Sequence, residues 1–151
     1  MHLTSLSVPY MKKLDSSSIT ILTSNQGITP DPMSPLMSTS AAMVQMMIKT
    51  VALETAFHGV RINGVASGIT KTTARCKGED IGMNLTKTEN SRFLHDAAKD
   101  VPLLGQLNSP KDVANALLFL ASSDSSFTTG EIMVVDGGQS LTTNKYDDWM
   151  R

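Results

Sequence analysis

Three short runs set the problem: SITILTS (Ser18–Ser24), VRINGVAS (Val60–Ser67) and GEIMVVDGG (Gly130–Gly138). The first is β-branched and nearly continuous in apolar character, as in a strand buried on both faces, and the second reads the same way. Helical patterns lie between the runs. From Ser38 to about Phe57, the apolar residues Met43, Met46, Met47, Val51 and Leu53 keep helical spacing, and His58-Gly59 supplies a glycine cap. Ser109-Pro110-Lys111-Asp112 is a helix start, with Ser at the N-cap, Pro at the first helical position and Asp three after the cap. That helix runs through VANALLFLAS. Strand and helix alternating at this length predict a mainly parallel sheet covered on both faces, although three strands are few for one.

The remaining segments are less regular. Residues 2–13 place Leu3, Leu6, Tyr10 and Met11 close to one helical face, with Pro9 expected to kink or end that helix early. NQGITPDPMSP is a loop dense in Gly and Pro. Residues 69–101 are polar and irregular, with a short helix expected at Glu89–Ala98, and residues 139–151 form a tail carrying Tyr146 and Trp149 among charges. The 151 residues suit one modest domain. Their formal net charge of −1 argues against nucleic acid or an anionic membrane as partner. No unbroken apolar run reaches about 18 residues, so no bilayer span is expected, and the start lacks the pattern of a secretory signal. Cys76 is the only cysteine. It can form no internal disulfide, which fits a reducing, intracellular and cytoplasmic setting and makes the Asn84-Leu85-Thr86 sequon a chance match.

Four pieces in order resemble one family. LTSLSVPYMKK looks like the end of a helix before a catalytic strand, and SSITILTSNQG like the strand that ends in a catalytic serine. AAMVQMMIKTVALETAFHGVRINGVASGITKT is similar to the catalytic helix, the next strand and a nicotinamide-facing loop. PLLGQLNSPKDVANALLFLASSDSSFTTGEIMVVDGG is similar to the C-terminal stretch. The family is that of the short-chain dehydrogenases/reductases, and the resemblance covers the C-terminal half of its domain. It implies an α/β fold, here a partial doubly wound parallel sheet of the Rossmann type, with NAD or NADP as cofactor and hydride transfer between a carbonyl and an alcohol. It also implies a tyrosine general acid, a lysine four residues on that lowers the phenol's pKa, and a serine that steadies the substrate oxygen.

Carried across by that resemblance, Ser24 takes the serine position. The tyrosine position, thirteen residues on, is Met37, and the lysine position is Ala41. A thioether has no proton to give, and an alanine brings no charge. Loss of a positioned general acid typically lowers the rate by about 10²–10⁴. In the nicotinamide-facing loop, Ser67 stands where the family tends to have Pro. Thr70 stands in place of Val or Ile, while Gly68 and Thr72 keep the pattern. No G-x-x-x-G-x-G phosphate loop occurs.

These residues imply an oxidoreductase by descent, truncated and catalytically impaired. The alternative is a non-catalytic module that pairs with full-length subunits through helices 38–57 and 109–122, the surfaces the family commonly uses for homo- or hetero-oligomers. A third reading keeps activity with Ser24, Thr39 or Ser40 as donors. Met33, Met37, Met43, Met46 and Met47 read as adaptable core fillers rather than metal ligands, and His2, His58 and His95 share no ligand spacing. The edge of Ser18–Ser24, lacking charge or proline, is expected to lie open and to need cover.

Overall fold

A computed structural model describes residues 2–14, 16–32, 34–72 and 87–142. Met33, residues 73–86 with Cys76, and the tail with Tyr146 and Trp149 lie outside the described residues. In chain order the elements are α1 (His2–Met11), β1 (Ser17–Ser24), α2 (Pro35–Ala56), β2 (Val60–Ser67), α3 (Lys87–Lys99), α4 (Pro110–Ala121) and β3 (Ile132–Val135). The sheet order is β1-β2-β3 and both pairings are parallel, with Ile19 opposite Ile62 and Gly64 opposite Ile132.

Helices cover the sheet from both sides, as parallel strands require. On one face Ile48, Val51 and Ala52 of α2 pack on Ile62, with Ile19, Ile21 and Ile132 around them. On the other, Val113, Ala116 and Leu120 of α4 pack on Val65, Met133 and Val135. Ile48, Ile62, Val65 and Leu120 are fully buried, each worth about 1.5–3 kcal/mol of transfer free energy. The polar residues within β2 are also accounted for. Asn63 donates to the Thr128 carbonyl at 2.9 Å and accepts from the Glu131 amide at 3.0 Å, bridging to the segment before β3. Arg61 donates to the Leu120 and Ser122 carbonyls at 3.0 and 2.9 Å, adding a charged donor to the serine hydroxyls that also serve the acceptors at the end of α4.

The helix boundaries follow local chemistry. At α4 the expected cap is a full capping box: the Ser109 hydroxyl accepts from the Asp112 amide at 3.3 Å, and the Asp112 carboxylate accepts from the Ser109 amide at 2.9 Å. That places the Asp112 pKa below the usual carboxylate value, through the hydrogen bonds from Ser109. Pro9 does not end α1, which continues to Met11, and Lys12-Lys13 lie just past its end. α2 begins at Pro35, three residues before the expected start, because a proline at the first helical position suits a helix entry. α3 spans Lys87–Lys99, slightly longer than expected. β3 is only four residues long, shorter than the run that predicts it.

α2 departs from expectation on its outer side. Ser38, Ala41, Gln45, Ile48, Ala52 and Thr55 face inward. Met37, Met43 and Met46 are exposed and do not fill the core; Met47 alone among the described methionines of that cluster packs against it. At 22 residues, α2 is also long and apolar enough to cross a bilayer by length and composition. Thr, Ser, Gln, Lys and Glu interrupt its apolar run; in this fold its inner face lies on the sheet.

Candidate functional site at the carboxyl ends of the strands

Ligands of open α/β sheets bind beyond the carboxyl ends of the strands. Here that rim is built by Ser24 at the end of β1, Ser67-Gly68 after β2 and Asp136 after β3. The register sets Ser24 opposite Ser67, so Ser24 and Gly68 end on adjacent strands. Gly68 donates its amide to the Val135 carbonyl at 3.0 Å, and a Cβ there would meet the Asp136 Cβ at 2.7 Å. Only a glycine lets the loop after β2 pass so close to the end of β3.

The hydroxyl of Ser24 accepts from the Gln26 amide at 3.2 Å and caps a 3-10 turn at Asn25–Gly27. Its carbonyl accepts from Nε2 of the buried Gln45 at 2.8 Å. That turn lies directly on α2: a Cβ at Gly27 would stand 2.8 Å from the Ala41 carbonyl carbon and from the Ala42 nitrogen. Ala41 is buried near this contact, whereas Met37, one turn earlier, is more than half exposed. Ser38 accepts from the Asp31 amide at 3.0 Å, which ties the loop to the first turn of α2. The hydroxyls of Thr39 and Ser40 donate to the Pro35 and Met37 carbonyls at 2.8 and 3.0 Å. Both are engaged on their own helix.

The loop after Gly68 runs to the segment before α4. Thr70 bridges to Asn108, and the Lys71 amide donates to the Asn108 carbonyl at 2.8 Å. The Thr70 hydroxyl donates to the Gly68 carbonyl at 3.0 Å, and Thr72 is exposed. The Asn108 side chain donates to the Val135 carbonyl, linking this loop to β3.

A polar cluster not singled out from the sequence joins the ends of β1 and β3. Buried Asn25 donates through Nδ2 to the Asp136 carboxylate at 3.1 Å and to Oε1 of Gln139 at 3.3 Å. Asp136 also accepts from the Gly138 and Ser140 amides, each at 2.9 Å. Burial pushes its carboxyl upward, but the hydrogen bonds from Ser140, Asn25 and Gly138 outweigh it and hold the pKa below the usual value. The available signal was Asp-Gly-Gly directly after a strand, a turn sequence whose carboxylate bonds amides two and four residues on. Nε2 of Gln139, buried with it, has no hydrogen-bond partner.

Two hollows flank Pro30 and Asp31. One, of about 370 Å³, opens over Pro32, Pro35, Ser38 and Thr39; the other, of about 40 Å³, lies among Asn25, Ile69, Gln139 and Ser140. Neither is lined by Lys or Arg. The described residues therefore do not by themselves fit a dinucleotide. The two linings offer no cation or glycine-rich amide cradle for a pyrophosphate, and the ionised side chain common to both is Asp31. Among the described residues, no group of His, Cys, Asp and Glu suits a metal ion.

Comparison with known proteins agrees with the topology. Residues 1–140 match a family model described as enoyl-(acyl carrier protein) reductase. The 3-oxoacyl-[acyl-carrier-protein] reductase FabG of Thermotoga maritima is 34% identical over 137 residues, covering 91% of this chain and 51% of that protein. The 7alpha-hydroxysteroid dehydrogenase of Bacteroides fragilis is 35% identical over 141 residues, covering 93% and 50%. Among solved structures, ligand-free aldohexose dehydrogenase from Thermoplasma acidophilum superposes with a TM-score of 0.82 at 26% identity, covering 93% of this chain and 55% of that one. ElxO with NADP bound gives 0.76 at 26%, covering 92% and 52%. The fold and these matches define an oxidoreductase class that works with NAD(P). The chain belongs to the short-chain dehydrogenase/reductase family. It spans about half the length of the curated relatives it matches.

Proposed function

We propose that residues 1–151 form the C-terminal half of a short-chain dehydrogenase/reductase domain, an oxidoreductase unit by descent in which the family's tyrosine–lysine chemistry is impaired. The observation that carries this reading is the pair Met37 and Ala41, set thirteen and seventeen residues after Ser24. The first cannot donate a proton, and the second is small, buried and uncharged. Ser24 keeps the position of the serine, but its hydroxyl serves a backbone amide. Gly68, Thr70 and Thr72 would be the cofactor-facing residues. Thr70 is engaged with the Gly68 carbonyl, so NAD(P) binding by this chain alone would be weak.

The test is titration of NADH and NADPH fluorescence with the purified chain, followed by turnover assays on a 3-oxoacyl thioester and a hydroxysteroid. The expected result is no saturable quenching and no turnover. Saturable quenching with turnover that Ser24→Ala abolishes would refute the proposal.

One observation favours a second role, subunit pairing through helices 38–57 and 109–122. Leu36, Met43, Met46 and Leu53 of α2, with Phe57 just past its end, form an exposed apolar row, and α4 exposes Leu118 and Phe119. Such patches mark interaction surfaces. Light scattering on the wild type and on Met46→Lys/Leu53→Lys tests it: a wild-type dimer that the double variant splits supports pairing through α2. A wild type monomeric at about 100 μM removes self-pairing.

A further inference from the structure

α2 carries its thioethers in two settings. Met43 is 67% exposed and Met46 62% exposed, whereas Met47, the next residue, packs partly buried against the core of Ile48, Val51 and Ile62. Met133 of β3 is also partly buried, against the cluster of Val65 and Leu120. At about 100° per residue, Leu36, Met43, Met46, Leu53 and Phe57 fall on one outer stripe. Met37 is exposed too, but it lies about 120° around the helix from Met43, toward the strand ends.

The polar residues beside the two methionines are already engaged. Thr39 and Thr50 turn their hydroxyls back to the Pro35 and Met46 carbonyls at 2.8 and 3.0 Å. Neither offers a proton to an oxygen added on a neighbouring side chain. Such an oxygen is therefore content in water and unmatched in an apolar contact.

We propose that Met43 and Met46 form a reversible peroxide-oxidation site, whose state sets whether the outer stripe of α2 is apolar and hence whether two copies of the chain pair through it. The last step rests on the pairing reading given above. The chemistry is a single oxygen transfer from a hydroperoxide. The sulfur lone pair attacks, the O–O bond breaks, an S=O bond forms, and water or an alcohol leaves. Sulfur gives up two electrons and the peroxide takes them. Two thiols reverse the step, becoming a disulfide and releasing the oxygen as water. In a two-fold pair the same patch is used on both copies, so every sulfoxide enters the contact twice. The inner face of α2, with Ala41, Gln45, Ile48 and Ala52 on the sheet side, is untouched, and the fold survives the change.

The experiment treats the full 151-residue chain with hydrogen peroxide, follows each methionine by peptide mass mapping, and reads association by analytical ultracentrifugation. Met43 and Met46 should gain oxygen at least about tenfold faster than Met47 and Met133. The far-UV spectrum should not change, while the dissociation constant of the pair rises at least about 100-fold. Methionine sulfoxide reductases supplied with a dithiol should restore pairing. Met43→Leu/Met46→Leu, a volume-conserving change, should pair as the wild type does and lose its response to peroxide, although Met37 still oxidises. Three results would overturn the switch and leave pairing standing: Met47 oxidising as fast as Met46, a pair unaffected once Met43 and Met46 carry oxygen, or equal splitting of the leucine variant by peroxide. A wild type that is monomeric before peroxide is added overturns the pairing reading, and the switch with it.

Discussion

Gly27→Ala tests how tightly the turn after Ser24 is pressed onto α2. Gly27 does not occupy the left-handed region, so the substitution carries no backbone penalty and its effect is steric. The new Cβ would stand 2.8 Å from two backbone atoms of α2 and 2.6 Å from Nε2 of Gln45. The amide could swing away, but the helix backbone cannot, so the turn must lift. Overpacking of this kind costs about 1–3 kcal/mol. Displacing Gln45 from the Ser24 carbonyl removes one further bond of about 0.5–1.5 kcal/mol. The reduced freedom of the unfolded chain returns about 0.4–1 kcal/mol. The net expectation is a loss of about 0.5–4 kcal/mol, centred near 2, read in urea unfolding as a midpoint lower by roughly 1 M at an m-value of about 2 kcal/mol/M. The same lift draws Asn25 away from Asp136, so the Asp136 carboxyl, followed by NMR, should titrate nearer the ordinary carboxylate value. Stability unchanged within about 0.5 kcal/mol together with an unmoved Asp136 titration would refute the idea that the turn is clamped on the helix.

Single contacts elsewhere set further outcomes. Asp136 has a lowered pKa in the folded chain, so its stabilisation is present above the unfolded value of about 3.9 and fades as pH falls through the folded one. Asp136→Asn keeps one acceptor oxygen but turns its NH2 toward either the Gly138 amide or the Ser140 amide and Asn25, and should cost about 1–3 kcal/mol at about pH 7. The difference from wild type should shrink as pH falls below the ordinary carboxylate range in acid-unfolding curves. Ser109→Ala removes the α4 cap and should cost about 1 kcal/mol, measured by urea unfolding. Arg61→Met removes a charged donor from the Leu120 and Ser122 carbonyls, which keep only hydroxyl donors from Ser18 and Ser125, and should cost about 1–2 kcal/mol in urea unfolding; a change under about 0.5 kcal/mol would mean that the hydroxyls and water suffice.

Much of the scaffold was legible because its signals are local. The β-branched runs became β1, β2 and β3, and Ser109-Pro110-Lys111-Asp112 became a complete capping box. The errors were also local. Ser34-Pro35 reads as loop chemistry when taken with the prolines before it, but directly ahead of the helical pattern it is a helix entry. Pro9 sits where α1 tolerates it, so the expected break does not occur. The methionines carried helical spacing but not its phase. With Ala41, Gln45, Ile48, Ala52 and Thr55 turned to the sheet, Met43 and Met46 must point outward.

The site was harder to read because its parts lie far apart in sequence. Asn25 meets Asp136 across 111 residues, and no periodicity reports such a contact. Ser24, Gly68 and the Thr70 loop were found through the family pattern, yet their present bonds are a matter of geometry. The Ser24 hydroxyl caps a turn, its carbonyl is held by Gln45, and the Thr70 hydroxyl closes on Gly68. At the strand ends, then, most polar groups already hold one another, and the neutral residues at positions 37 and 41 add no charge there. A rim arranged this way keeps its shape without a ligand. That is a reason for this rim to retain its strand-end geometry whatever chemistry it performs, and for Gly27 and Asp136 to report on that geometry more sensitively than Ser24.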